Sequence, residues 1–152
     1  MRRIAGFMLI EVLIVLAIIA FLSAISIPSF MKFLAKSKRS EAYMTLRGLY
    51  LAEKSYQLEH GTYTAALMGK SNALGWKPSG SLLYTYGFPG SAGTNFVMGE
   101  LKAPGSALKK AGVTSAGFVA AAAADIDGDG VIDLLTIDQD GKITIVVDDL
   151  AE

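Results

Sequence analysis

Between Phe7 and Ile27 the chain carries a single charge, Glu11, among twenty-one residues that are mostly Ile, Leu, Val, Ala and Phe. At about 1.5 Å of rise per residue, a helix over this run is about 30 Å long, the thickness of a bilayer's hydrocarbon core. A carboxylate in such a phase costs about 2.5–3.5 kcal/mol at the helix centre and less toward an end. Glu11 therefore needs a partner, and no Lys, Arg or His lies within helical reach of it in the same span. Another copy of the chain could supply one: the α-amino group released if the bond between Gly6 and Phe7 were cut. The chemistry available to Glu11 is ion pairing in an apolar medium.

The second group of residues with chemical potential is Asp125-Ile126-Asp127-Gly128-Asp129-Gly130-Val131-Ile132-Asp133. The spacing D-x-D-x-D-G-x-x-D matches the first nine positions of an EF-hand-type calcium loop. Calcium takes six to eight oxygens, and alternate carboxylates converge where the chain turns sharply at a Gly. Asp125, Asp127 and Asp129 would bind directly, Val131 would offer its carbonyl oxygen, and Asp133 would bind directly or through water. Thr136 stands at position twelve in place of the bidentate Glu, so a complete EF-hand is excluded. The competing reading is a hairpin turn whose aspartates solvate an edge, although like charges at this density repel one another. Asp138 and Asp140 form a second, weaker candidate. His60, the single histidine, has no partners at ligand spacing and reads as a polar helix end. No Gly-x-Ser-x-Gly nucleophile motif is present.

The elements that must position these residues follow from periodicity. Beyond the apolar run, Phe30, Phe33 and Leu34, then Ala42, Leu46, Leu49, Ala52 and Tyr56, recur on one helical face, with Lys36, Lys38, Arg47, Lys54 and Glu59 largely off it. Pro28 bends a helix or removes one hydrogen bond without necessarily ending it. The expectation is one helix over about 7–60, its first half in lipid and its second half laid on a sheet, ending at Gly61. Residues 61–81 are turn-rich. Alternation predicts strands over 82–86, 96–101, 117–124, 131–137 and 143–147, with 102–115 irregular. The last three are joined by Asp-Gly turns suited to tight hairpins. The fold class is α+β, a long N-terminal helix packed against an antiparallel meander. Three segments result: a leader over 1–6, a transmembrane and assembly half-helix over 7–28, and a globular domain over 29–152.

The start of the chain resembles the class III signal of type IV pilins and pseudopilins. The residues that carry this are the basic leader Met1-Arg2-Arg3-Ile4-Ala5-Gly6, an aromatic after the Gly, the core Leu9-Ile10-Glu11-Val12, and Pro28 at the far end. Met8 departs from a common Thr or Ser, and Ala20 from a frequent Gly. The resemblance covers residues 1–34 closely and the remainder diffusely. It implies the type IV pilin fold, cleavage after Gly6 by a prepilin peptidase with methylation of the new terminus at Phe7, and pairing of Glu11 with a neighbour's terminus during filament assembly. An ordinary secretory signal fits less well, because the apolar run exceeds the usual 7–15 residues and lacks a clean small-x-small site. Arg2, Arg3 and the α-amino group oppose Lys32, Lys36, Lys38 and Arg39 across the span, so charge alone does not set orientation. The resemblance places the globular part outside.

Composition bounds the rest. Hydrophobic residues make up 52% of the 152, and mean hydropathy is +0.43, much of it from the arm. The formal net charge is zero, which gives no global electrostatic case for nucleic acid. Nine of the fourteen acids fall after residue 124, where Lys142 is the single base, so the chain is a charge dipole. There are no cysteines, so another staple is expected where many pilins use a disulfide. The functional expectation is a structural subunit and not an enzyme. It would be made as a single-pass inner-membrane precursor, handed to the pilus assembly platform, and polymerised with copies of itself into a cell-surface filament. The alternatives are a pseudopilin of a type II secretion system, in a periplasmic pseudopilus, and a membrane-anchored calcium-binding module that never polymerises. Calcium is the one cofactor the sequence suggests.

Overall fold

The computed structural model describes residues 8–69 and 72–151. Its chain divides into two compact units, Met1–Leu34 and Ala35–Glu152. One helix, α1 (Leu9–His60), runs through both. In the first unit every large apolar side chain from Met8 to Leu34 is exposed, so this stretch is apolar around its whole circumference. A helix of that kind is built for lipid or for other helices. Pro28 lies inside α1 without ending it.

In the second unit the helix becomes one-sided. Ala35, Arg39, Ala42, Leu46, Leu49, Glu53 and Tyr56 are buried. They are spaced alternately four and three apart, which is the stripe a 3.6-residue period lays along one face. Gly61 ends the helix in the left-handed conformation at φ 71°, its N–H donating to the Gln57 carbonyl at 2.8 Å. His60 stacks on Tyr56 with ring centroids 4.1 Å apart, a helix-end role.

The sheet comprises β1 (Thr85–Gly87), β2 (Phe96–Val97), β3 (Gly112–Val113), β4 (Phe118–Ala124), β5 (Asp133–Asp138) and β6 (Ile143–Val147). All of these strands pair antiparallel, in the order β2-β1-β4-β5-β6, with β3 also on β4. The expected simple meander is corrected in two respects. Only β4-β5-β6 meander, whereas the β1–β2 hairpin returns to β4, pairing Tyr86 with Ala122. The span 102–115 is not wholly irregular, for it holds a short 3-10 helix (Gly105–Leu108) and β3. The second strand is also shorter than its alternation predicts. Just past it, Gly99 lies so close to the Tyr84 carbonyl oxygen that a side chain there would clash. Pairing persists beyond it as single bonds, Glu100 N–H to Leu82 O at 2.7 Å and Leu101 N–H to Leu83 O at 3.1 Å.

The run of five alanines in β4 follows from its place. Alternate residues of a central strand face opposite ways. Ala120, Ala122 and Ala124 pair with Ile137, Leu135 and Asp133, on the face that meets the helix. Ala121 and Ala123 pair with Gly87 and Thr85 on the opposite face, where the Thr85 hydroxyl donates to the Ala103 carbonyl at 2.8 Å. With both faces covered, the strand reads as a continuous apolar run, and small side chains leave room for buried Tyr84, Tyr86 and Phe118.

Polar side chains at three positions within one turn of the helix fasten it to the sheet unit. Lys38 Nζ donates to the Ile126 carbonyl at 2.6 Å. Arg39 donates through Nε and Nη2 to both oxygens of Asp133, at 3.0 and 2.6 Å, and through Nη2 to Asp148. Glu41 accepts the Leu83 N–H at 2.9 Å and the Tyr86 hydroxyl at 2.8 Å. Burial opposes the Arg39 charge, but the two carboxylates more than restore it and hold the guanidinium above its usual range. An extra residue in β6 shapes this site: Leu135 pairs with Ile145 and Leu134 with Val147. The bulge shifts the alternation by one, so that Asp148 follows on the side where Arg39 waits.

Two predictions follow from these buried charges. Arg39→Met leaves Asp133 buried without its cation, and unfolding of the chain in detergent micelles should show a loss of about 3–5 kcal/mol. Glu53 is 0% exposed, its Oε2 accepts the Thr64 N–H at 3.3 Å, and its Oε1 makes no hydrogen bond. Burial pushes its carboxyl up to about 7, against the lowering effect of the Thr64 bond. Between 4.5, the ordinary value, and about 7 the folded state holds a proton that the unfolded state has released. Stability therefore falls as pH rises through that window and levels off above it. Glu53→Gln should remove the slope and raise stability at pH 8 by about 1–3 kcal/mol, with little effect at pH 4, as read from melting curves at both pH values.

Candidate functional site

Two places on the chain carry residues singled out by their chemistry, one in each compact unit. In the first unit, Glu11 lies in the first turn of α1 and is exposed. An acidic group in a helix's first turn is favoured by the macrodipole. Its N–H donates to the Met8 carbonyl at 3.0 Å. The nearest base after it in sequence is Lys32, which helical rise places about 30 Å along the axis. The carboxylate is thus isolated on an apolar rod, with no cation from its own span. Gly6 and Phe7, where cleavage and methylation are expected, lie outside the described residues.

In the second unit, the connection from β4 to β5 forms a tight acidic loop. Gly128 and Gly130 adopt φ of 91° and 94°, open to glycine and unfavourable to residues with a Cβ. These turns let the loop's amides gather its own carboxylates. Asp125 accepts the N–H groups of Gly128 at 2.7 Å and Gly130 at 3.0 Å. Asp127 accepts the Asp129 N–H at 3.1 Å, and Asp129 accepts that of Val131 at 2.7 Å. Val131 itself is exposed.

Asp125, Asp127 and Asp129 come together, as their spacing suggests, but Asp133 does not join them. The structure corrects that expectation. Asp133 opens β5 on the helix-facing side, fully buried, with both oxygens engaged by Arg39 and one also by the Tyr84 hydroxyl at 2.7 Å. Burial and the bond to Asp133 hold the Tyr84 hydroxyl protonated, well above its usual range. The fourth carboxylate is instead Asp149, from the segment after β6. One oxygen from each of Asp125, Asp127, Asp129 and Asp149 lies within 4.8 Å of the others. Burial, and beyond it the neighbouring charges of Asp127, Asp129 and Asp125, raise the Asp149 carboxyl above its ordinary value, against the bond from the Ile126 N–H. Asp138 belongs to an ordinary turn, where it accepts the N–H groups of Asp140 at 3.0 Å and Lys142 at 2.9 Å.

Sequence reasoning passes over both Asp149 and Arg39, and only Arg39 carries a signal that could have found it. Arg39 falls on the stripe that runs Arg39, Ala42, Leu46 and Leu49, so helical period places it on the buried face. Asp149 lies beyond β6, and no local pattern ties it to a loop two strands earlier.

Comparison with known proteins agrees with the helix and the sheet. No protein-family model matches the chain. It is 44% identical over 88 residues to the type IV major pilin protein PilA of Myxococcus xanthus, covering 58% of this chain and 38% of that protein. It is 38% identical over 58 residues to a type IV major pilin protein, PilE, of Neisseria gonorrhoeae, covering 38% of this chain and 35% of that one. These matches thus span less than two fifths of the relatives' length. A longer match, to the fimbrial protein EcpC of Eikenella corrodens, is 34% identical over 114 residues and covers 73% of this chain and 71% of that protein. That identity over more than two thirds of both chains, in a chain whose helix is apolar all round before Leu34 and one-sided after it, places it in the type IV pilin family.

Proposed function

We propose that this chain is a non-enzymatic structural subunit that polymerises through α1 into an extracellular type IV pilus. A prepilin peptidase trims it between Gly6 and Phe7, and the new terminus at Phe7 is methylated. The observation that carries the reading is the exposed apolar helix from Met8 to Leu34 with one carboxylate, Glu11, near its start. Lipid satisfies the apolar surface before assembly, when the precursor sits as a single span in the inner membrane. The assembly platform then moves it from lipid to a bundle of like helices. Lipid does not satisfy Glu11, whereas the free amino terminus of a neighbouring copy does. In a water-poor medium that ammonium–carboxylate attraction is several times stronger than at a solvated surface.

The relatives' descriptions as major pilins favour a pilus over a secretion pseudopilus. A membrane-anchored module that never polymerises accounts for the apolar arm and leaves Glu11 without a partner.

The test is made in cells that assemble the filament. Glu11→Gln keeps the shape of the side chain and removes its charge, so insertion and cleavage should proceed while sheared filaments fall at least about tenfold, the equivalent of about 1.4 kcal/mol per subunit contact. Gly6→Val should leave an uncut precursor in the membrane, and mass spectrometry of the wild-type filament should find N-methylated Phe7 as its first residue. Abundant filaments from the Glu11→Gln chain, or a mature terminus beyond Pro28, would overturn the proposal.

A further inference from the structure

We infer that Asp125, Asp127, Asp129 and Asp149 form a calcium site that ties the end of the chain to the β4–β5 connection. The inference concerns the globular unit and does not depend on polymerisation.

The acidic loop alone would not require a cation, since its exposed carboxylates are solvated and capped by the loop's own amides. Asp149 is what requires one. It is only 5% exposed. Its Oδ2 accepts the Ile126 N–H at 2.9 Å, while its Oδ1 is shut off from solvent and makes no hydrogen bond. An unpaired buried charge is among the costlier things a fold can hold. Two cations that reach this end of the sheet are engaged with other groups. Arg39 is held by Asp133 and Asp148, and Lys38 is held by the Ile126 carbonyl. Asp149 faces three further carboxylates instead.

The spacing of these oxygens suits a shared ion. Ligands on opposite sides of calcium, each at about 2.3–2.6 Å, are at most about 4.6–5.2 Å apart, and on magnesium at most about 4.2 Å. The four oxygens fall within 4.8 Å of one another, inside the span that opposite ligands of one calcium ion can reach. Four carboxylates from two separate segments leave positions for water, consistent with calcium's six to eight ligands.

Asp133 has a positioning role in this arrangement. Its Oδ1 accepts the Asp149 N–H at 3.3 Å, while its side chain is clamped by Arg39. The backbone of Asp149 is thus held from the helix side as its carboxylate reaches the loop. The ion would close the chain's end onto β4 and β5, a cross-link in a protein without cysteine.

The experiment uses the full chain in detergent micelles with calcium chloride, magnesium chloride or chelator. Calorimetry should give a binding heat with Kd of about 10⁻⁴–10⁻³ M, as extracellular calcium modules do. Melting should rise by about 5 °C at ten times Kd, and magnesium should do less. Asp149→Asn keeps an acceptor for the Ile126 N–H and removes the charge, so it should weaken calcium binding at least about tenfold. Asp127→Ala together with Asp129→Ala should abolish the shift, and Asp140→Asn should not change it. Hydrogen exchange of residues 148–151 should slow at least about tenfold on calcium addition, which tests Asp149 without altering it. A wild-type chain with no binding heat and no shift at about 10 mM calcium, ten times the weakest such Kd, would overturn the inference. So would unchanged affinity in Asp149→Asn, or unchanged exchange at the chain's end.

Discussion

The globular unit depends on a carboxylate that has lost its water. Asp133 is fully buried at the start of β5, and three elements are arranged to satisfy it. Arg39 comes from the buried stripe of α1, Tyr84 from the residue before β1, and the Asp149 amide from beyond β6. Each of these partners is distant in sequence, so the side chain records the tertiary fold more completely than any apolar residue around it. A buried pair of this kind contributes little net stability against a well-packed apolar substitute, while loss of one partner is expensive. Its value lies in register. A slip of one residue in β5 or β6 would turn Asp133 or Asp148 away from the guanidinium.

Helix and sheet are joined by polar contacts at successive positions of one helical segment, Lys38, Arg39 and Glu41, and these reach partners between Leu83 and Asp148. In a chain without cysteine this segment does the work that a covalent bridge would otherwise share. It falls just inside the boundary at Ala35, where the helix changes from apolar all round to one-sided. The basic residues there that look like ordinary flanks of a membrane span therefore have a second role: two of them, Lys38 and Arg39, are structural.

Much of this was legible in the sequence, and the remainder was not, for physical reasons. The apolar run, the single Glu11, the helical stripe and the last three strands follow from periodicity, which is local. The return of β1 to β4 is a choice among antiparallel neighbours, and a single strand's alternation does not encode its partner. Where β2 ends, and the close approach of Gly99 to Tyr84 just past it, are distances between segments that alternation does not encode. The loop's spacing located Asp125, Asp127 and Asp129 and misplaced Asp133, because a nine-residue pattern fixes a turn but not which carboxylate the rest of the fold will claim. Arg39 claims Asp133, and Asp149, from beyond β6, lies beside the loop instead.

The same rule governs the three carboxylates that matter most. A carboxylate removed from water must find positive charge, and in an apolar phase the need is sharper. Asp133 finds it within its own unit, in Arg39. Glu11 sits on an apolar rod whose span holds no base, so a lipid environment would leave it unsatisfied, and the proposed assembly would bring it a second chain's terminus. Asp149 is buried with one oxygen that has no hydrogen-bond partner among the described residues and lies beside three other carboxylates, where a small divalent ion would supply the charge it lacks. One partner is built into the chain, and on the readings proposed for Glu11 and Asp149 the other two would come from a copy of it and from the medium.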